Sequence, residues 1–125
     1  RRDLEAIIHP QVRQALAEWA RARAAEGVAI TVAEIPLLFE SRREADFDRV
    51  VVTACTEEEQ IRRVSARAGL SADDVRRRIA AQMPLAEKVQ RAHYVIRTDG
   101  DVDDTRRRAL AVWAALEEDA RAAGR

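Results

Sequence analysis

The chain has 125 residues, 47% hydrophobic and 35% charged, which suffices for one domain or part of one. Its 22 basic residues are matched by 22 acidic ones, so the net charge is zero; this argues against a general nucleic-acid or membrane-surface binder. Cys55 is the single cysteine, which excludes an intrachain disulfide and fits a reducing, cytoplasmic compartment. His9 and His93 lie far apart with no partner cysteine, so no metal-ligand cluster is visible in the sequence. No apolar run approaches the ~18 residues of a membrane-spanning helix. Lys88 is the only lysine, and the abundance of arginine and alanine matches a GC-rich coding sequence. The start, Arg1-Arg2-Asp3, runs directly into a helical pattern and looks like a cut inside a longer protein.

Leu4, Ile7 and Ile8, then Val12, Leu16, Trp19 and Ala20, recur at helical spacing, interrupted by His9-Pro10. Proline is disfavoured inside a helix but accepted in its first turn. The pattern therefore predicts a short helix over 3–8 and a longer one over 10–25, ended at Gly27 by a left-handed residue. Residues 28–35 are nearly all apolar and read as a strand buried on both faces. Residues 41–46 are a charged loop, and 48–54 read as a second buried strand. Thr56-Glu-Glu-Glu59 matches a capping box and opens a helix to about residue 67, which Gly69 breaks. Ser71 caps another helix through Val75, Arg78, Ile79 and Gln82. Met83-Pro84 interrupts the pattern before a short helix with Leu85, Lys88 and Val89. Residues 93–97 form a third strand, Asp99-Gly100 a turn, and a last helix from about Val102 places Leu110, Trp113 and Leu116 on one face. Trp19 and Trp113 are expected in the core. Alternating helix and strand argues for an α/β fold with a parallel sheet. Ile35 stands where such a strand ends, and ligands bind at the carboxyl ends of strands in these folds.

At this point the residues resemble the dephospho-coenzyme A kinase family. The matching pieces come in order: Leu4-Glu-Ala-Ile-Ile-His-Pro10; Ile35-Pro-Leu-Leu-Phe-Glu40; Asp48-Arg-Val-Val-Val52 with Gln60, Arg63 and Arg67; Gly69-Leu-Ser71; Arg78-Ile-Ala-Ala-Gln82; and Tyr94-Val-Ile96 followed by Asp99-Gly100. They span residues 3 to about 116. The family more often has aspartate where His93 and Arg97 stand, and asparagine where Thr98 stands. The resemblance implies a P-loop kinase-like α/β fold: a parallel sheet flanked by helices, with a helical lid. Its segments would be acceptor-side helices over 1–27, two core strands over 28–56, helix and lid over 57–92, and the last strand with the C-terminal helix over 93–125.

The implied activity is ATP-dependent phosphorylation of the 3′-hydroxyl of dephospho-CoA, with Mg²⁺ in the complete protein. The implied partners are ATP and dephospho-CoA, with no nucleic acid and no membrane. By resemblance, Arg63, Arg67 and Arg78 stand near ATP phosphates, with Arg67 and Arg78 in the transfer step; guanidinium forks suit bidentate phosphate contact. A solvated helix face is the alternative for all three, and Arg76 and Arg77 read as surface. Thr98, Asp99 and Gly100 fall where the ATP adenine is held. His9, Glu34, Leu37, Leu38, Phe39 and Glu40 fall on the acceptor side. There the two carboxylates could order a Mg²⁺-bound water, and the apolar trio could wall the pantetheine arm or adenine. Ordinary core packing explains the trio as well, and a structural helix-start histidine explains His9. Gln82 and Lys88 could orient the lid.

The chemistry also needs a glycine-rich phosphate loop, G-x-x-x-x-G-K-[ST]. Gly27, Gly69, Gly100 and Gly124 are scattered, and the chain contains no such motif. The resemblance puts the strand bearing that loop between the strands at 28–35 and 48–54. Without it both neighbours would lack a hydrogen-bonding partner, at about 1–3 kcal/mol for each buried unpaired group. The chain is therefore expected to be a C-terminal part of a kinase, inactive alone. It would rearrange, be partly disordered or self-associate, or its two strands would pair directly. Two other readings remain: a nucleotide- or protein-binding module without a P-loop, and a nucleoside-monophosphate-type kinase.

Overall fold

The computed structural model describes the backbone from residue 2 to residue 125 and side chains from Pro10 onward. It divides into two compact units, residues 1–34 with 116–125, and residues 35–115.

In the first unit, helix α1 spans Arg2–Ala25 with Pro10 inside it. The expected break at Pro10 does not occur. A proline removes one backbone donor, and the helix keeps its ladder on both sides of that gap. Gly27, with φ 85°, closes the helix: its N–H donates to the Ala24 carbonyl at 3.0 Å, and Val28 N–H reaches the Arg23 carbonyl at 3.1 Å. Arg23 lies over the Trp19 ring at 6.0 Å and pairs with Glu26 at 2.8 Å. Trp19 is 42% exposed and is not a core residue. Helical spacing defines an apolar stripe, but it does not supply something to cover it.

Residues 28–35 carry no regular secondary structure, and Val32 is 70% exposed. The strand expected over 28–35 is therefore not formed. A strand exists only when a neighbour takes its backbone groups, and the two strands among the described residues pair with each other.

In the second unit, β1 (Val51–Ala54) and β2 (Tyr94–Arg97) form a parallel pair, with Val51 opposite Tyr94 and Ala54 opposite Arg97. The ladder is extended at both ends. The N–H groups of His93 and Tyr94 reach the Val50 carbonyl at 2.9 and 3.2 Å, and Thr98 N–H reaches the Ala54 carbonyl at 2.9 Å. Val50 N–H donates to His93 Nδ1 at 2.9 Å, so the imidazole acts as one more rung. The β1 strand is shorter than the predicted 48–54 and is buried on one face only. Val50, Val52 and Ala54 point inward while Val51 and Thr53 are exposed. The inner face packs with Phe39, and Leu38, Met83, Leu85, Val89 and Ala92 surround that cluster.

Between the strands run α2 (Glu57–Ala68), α3 (Ala72–Ala80) and α4 (Leu85–Arg91). Helix α2 packs on α3, and α4 packs on β1. The predicted caps are present. Thr56 Oγ1 accepts the Glu59 N–H and Ser71 Oγ the Asp74 N–H, at 3.2 and 3.1 Å. Gly69 ends α2 at φ 66°, where a β-carbon would be strained. Val75 on α3 is buried. Helix α5 spans Val102–Ala122, and Trp113 on it is 42% exposed, outside the core expected for it.

Candidate functional site

The carboxyl ends of β1 and β2 lie side by side, and the loops that follow them are tied by one polar network. Thr56 N–H donates to Asp99 Oδ1 at 2.7 Å, and Arg97 grips Asp99 Oδ2 through Nε and Nη2 at 3.0 and 2.8 Å. The Thr56 amide hydrogen bond, then the Arg97 guanidinium, against the opposing effect of burial, hold the Asp99 carboxyl below its ordinary range. From α2, Arg63 reaches across: Nη1 donates to Thr98 Oγ1 at 3.1 Å, Nη2 donates to the Thr98 carbonyl, and Nε donates to Glu59 Oε1 at 2.8 Å. An added β-carbon at Gly100 would come within 2.9 Å of Asp104 Cγ, so a substitution there would have to push the Asp104 side chain aside.

The capping box at Thr56 is only half formed in the expected way. Glu59 does not return to the Thr56 N–H; Arg62 and Arg63 hold its carboxylate, and Asp99 takes the amide instead. The hydrogen bond from Arg62, with lesser help from Arg63 and against burial, pulls the Glu59 carboxyl down to about 2.

Arg67 follows Arg63 by one turn on α2 and is exposed. Arg78 on α3 is exposed too and lines a shallow hollow with Leu70, Asp74, Arg77 and Ala81. Arg76 and Arg77 lie on the surface, as predicted, paired with Asp73 and Asp74. Thus Arg63, Thr98 and Asp99 are brought into one network beside Gly100, and Arg67 and Arg78 lie outside its hydrogen bonds. Arg63 is engaged with protein groups, which fits a strut better than a phosphate ligand.

On the expected acceptor side, residues 36–42 form a tight turn. Leu37 adopts φ 56°, its carbonyl accepts from the N–H and Oγ of Ser41 at 3.0 and 2.8 Å, and its side chain is 49% exposed. Leu38 is half-buried against the core. Phe39 lies inside it, so core packing describes Phe39 and it does not wall a surface. Glu40 Oε2 accepts from Met83 N–H at 3.0 Å and pairs with Lys88 Nζ at 2.9 Å. Burial acts to raise the Glu40 pKa, but Lys88 and the Met83 amide outweigh it and hold the carboxyl below its ordinary range. Glu34 is exposed in the first unit. The His9 side chain lies outside the described residues. Among the described residues no group of three His, Cys, Asp or Glu could hold a metal ion.

The dephospho-CoA kinase family model matches residues 1–104. The chain belongs to that family. It is 42% identical over 121 residues to the dephospho-CoA kinase of Geobacillus kaustophilus, covering 94% of this chain and 60% of that protein. To the enzyme of Chlorobaculum tepidum it is 38% identical over 113 residues, covering 90% and 54%. A crystal structure of a Thermus thermophilus protein superposes with TM-score 0.74 at 39% identity, covering 91% of this chain and 58% of that one. The chain thus spans 60% or less of the length of each of these relatives.

Within this family member, three features escaped the sequence reading: the Glu40–Lys88 pair, the Asp99 cap on Thr56 and the His93 rung. Each joins residues 43 to 48 positions apart. Local pattern carries no signal for such partners.

Proposed function

We propose that this chain is the acceptor-and-lid portion of an ATP-dependent kinase that phosphorylates the 3′-hydroxyl of dephospho-CoA to give CoA. The observation that carries this reading is the match of residues 1–104 to the dephospho-CoA kinase family. Phosphoryl transfer asks a protein mainly for positioning and for charge to meet the transferring group. Arg67 and Arg78 offer that charge on exposed helix faces, and a guanidinium fork can hold two phosphate oxygens at once. Arg63 has a different part. By holding Thr98, it keeps the loop after β2 in place for the adenine, with Asp99 fixed from the other side. Leu37 offers an exposed apolar side chain to the acceptor.

The test uses the intact protein from its native reading frame, with dephospho-CoA or nucleoside monophosphates as acceptors and CoA measured as product. CoA formation with dephospho-CoA alone supports the reading; phosphorylation of a nucleoside monophosphate instead overturns it. Arg78→Ala is expected to lower kcat on the order of 10²–10³-fold, as when one charge-stabilising donor is removed. It should weaken acceptor binding much less. An unchanged kcat removes Arg78 from the transfer step.

A further inference from the structure

The Glu40–Lys88 contact joins two segments that sequence pattern does not connect. Glu40 closes the turn that displays Leu37, while Met83 and Lys88 belong to the connector after α3 and to α4. Both side chains are largely withdrawn from water, with 22% and 16% exposed. Lys88 Nζ also lies 3.4 Å from Gln82 Oε1. The second Glu40 oxygen, Oε1, is buried with no hydrogen-bond partner. Stability alone does not favour such a group. A withdrawn ion pair with one oxygen unsatisfied gains little over an apolar contact of the same shape, and here an apolar cluster lies beside it. What the pair does provide is a fixed distance. Leu37 and Glu40 are three positions apart in the chain, and Arg78 and Met83 are five.

We propose that Glu40 and Lys88 are positioning residues that fasten the Leu37 turn to the connector after α3, and so set where α3 presents Arg78 relative to the acceptor wall. This rests on the kinase reading above. Glu40 acts through Met83 and the helix that precedes it. An apolar pair would fill the same space but could slide. A carboxylate shared by an amide and an ammonium cannot, because moving the connector would break both bonds to Oε2.

The experiment compares wild type, Glu40→Ala, Lys88→Met and Lys88→Arg in the intact protein. Hydrogen exchange at the Met83 amide is read beside kcat, the KM for ATP and the melting temperature. Glu40→Ala is expected to speed Met83 exchange at least tenfold. Lys88→Met should lower kcat about tenfold while leaving the KM for ATP within twofold, and Lys88→Arg should restore kcat. If Glu40→Ala does not fold, Lys88→Met carries the exchange measurement as well. A Met83 amide that exchanges equally fast in wild type and both loss variants overturns the clamp. Faster Met83 exchange with kcat unchanged in Lys88→Met overturns the positioning role. Wild type that makes no CoA overturns the functional reading and the role with it, and is told apart because the Met83 exchange contrast then persists.

Discussion

Val75→Ala is the sharpest probe of how the arginine-bearing helix α3 is held. Val75 is 2% exposed, and α3 packs on α2. Removing two buried methyl-sized groups forfeits about 1.6 kcal/mol of transfer free energy, at ~0.8 kcal/mol for each carbon. The cavity left behind adds up to about 1 kcal/mol where neighbours cannot collapse. Alanine's better helix propensity offsets about 0.5 kcal/mol. The net expectation is about 2 kcal/mol, a 20–30-fold rise in the opening constant of α3 by the usual ~1.4 kcal/mol per decade. Amide exchange of residues 72–80 reads this directly, and a urea midpoint reports any part that reaches global unfolding. Val102→Ala, at a side chain 74% exposed, is the control and should change stability by less than about 0.5 kcal/mol. If Val75→Ala is as silent as the control in α3 exchange, burial of Val75 is not what holds this helix.

Two further outcomes follow from the same structure. Leu37 holds φ 56°, a conformation that costs a non-glycine residue about 1–2 kcal/mol, with a half-exposed apolar side chain. Leu37→Gly should leave stability unchanged or slightly higher in a denaturant melt, yet raise the KM for dephospho-CoA in the intact protein; a KM equal to wild type removes Leu37 from the acceptor wall. Glu59 is held at about 2 against an ordinary 4.5. A depressed acid contributes stability that is fully present above its unfolded value and is lost as pH falls through the folded one. Urea midpoints should therefore decline between about pH 5 and pH 2, and Glu59→Gln should flatten part of that decline. A variant with the wild-type slope refutes the assignment.

What could be read in the sequence was what depends on neighbours in the chain. Thr56, Ser71, Gly27 and Gly69 announced their caps because a cap is settled within four residues. The helices at 57–68, 72–80 and 102–122 followed from spacing and those stops. The apolar run at 28–35 was equally visible, yet it is no strand here, since strand formation depends on a partner supplied from elsewhere in space. Helical periodicity likewise placed Trp19 and Trp113 on apolar faces without saying that those faces stay open. In the candidate site, residue types were legible and their engagements were not. Arg63 has the chemistry of a phosphate ligand, but Thr98, 35 positions away, takes its guanidinium. Glu40 has the chemistry of a metal or acceptor carboxylate, but Lys88 and the Met83 amide hold it.

The amide of Thr56, at the start of α2, is satisfied by a carboxylate 43 residues later. Closing a loop of that size costs about 3 kcal/mol in chain entropy, by (3/2)RT ln n. The first turn of α2 is therefore incomplete until β2 has docked and the chain has passed Asp99. On a ribosome, this helix would leave the exit tunnel half-capped and would gain its last bond only when the sheet closes. The Thr56 side chain lets the helix start locally, and the amide bond to Asp99 then ties that start to the loop after β2.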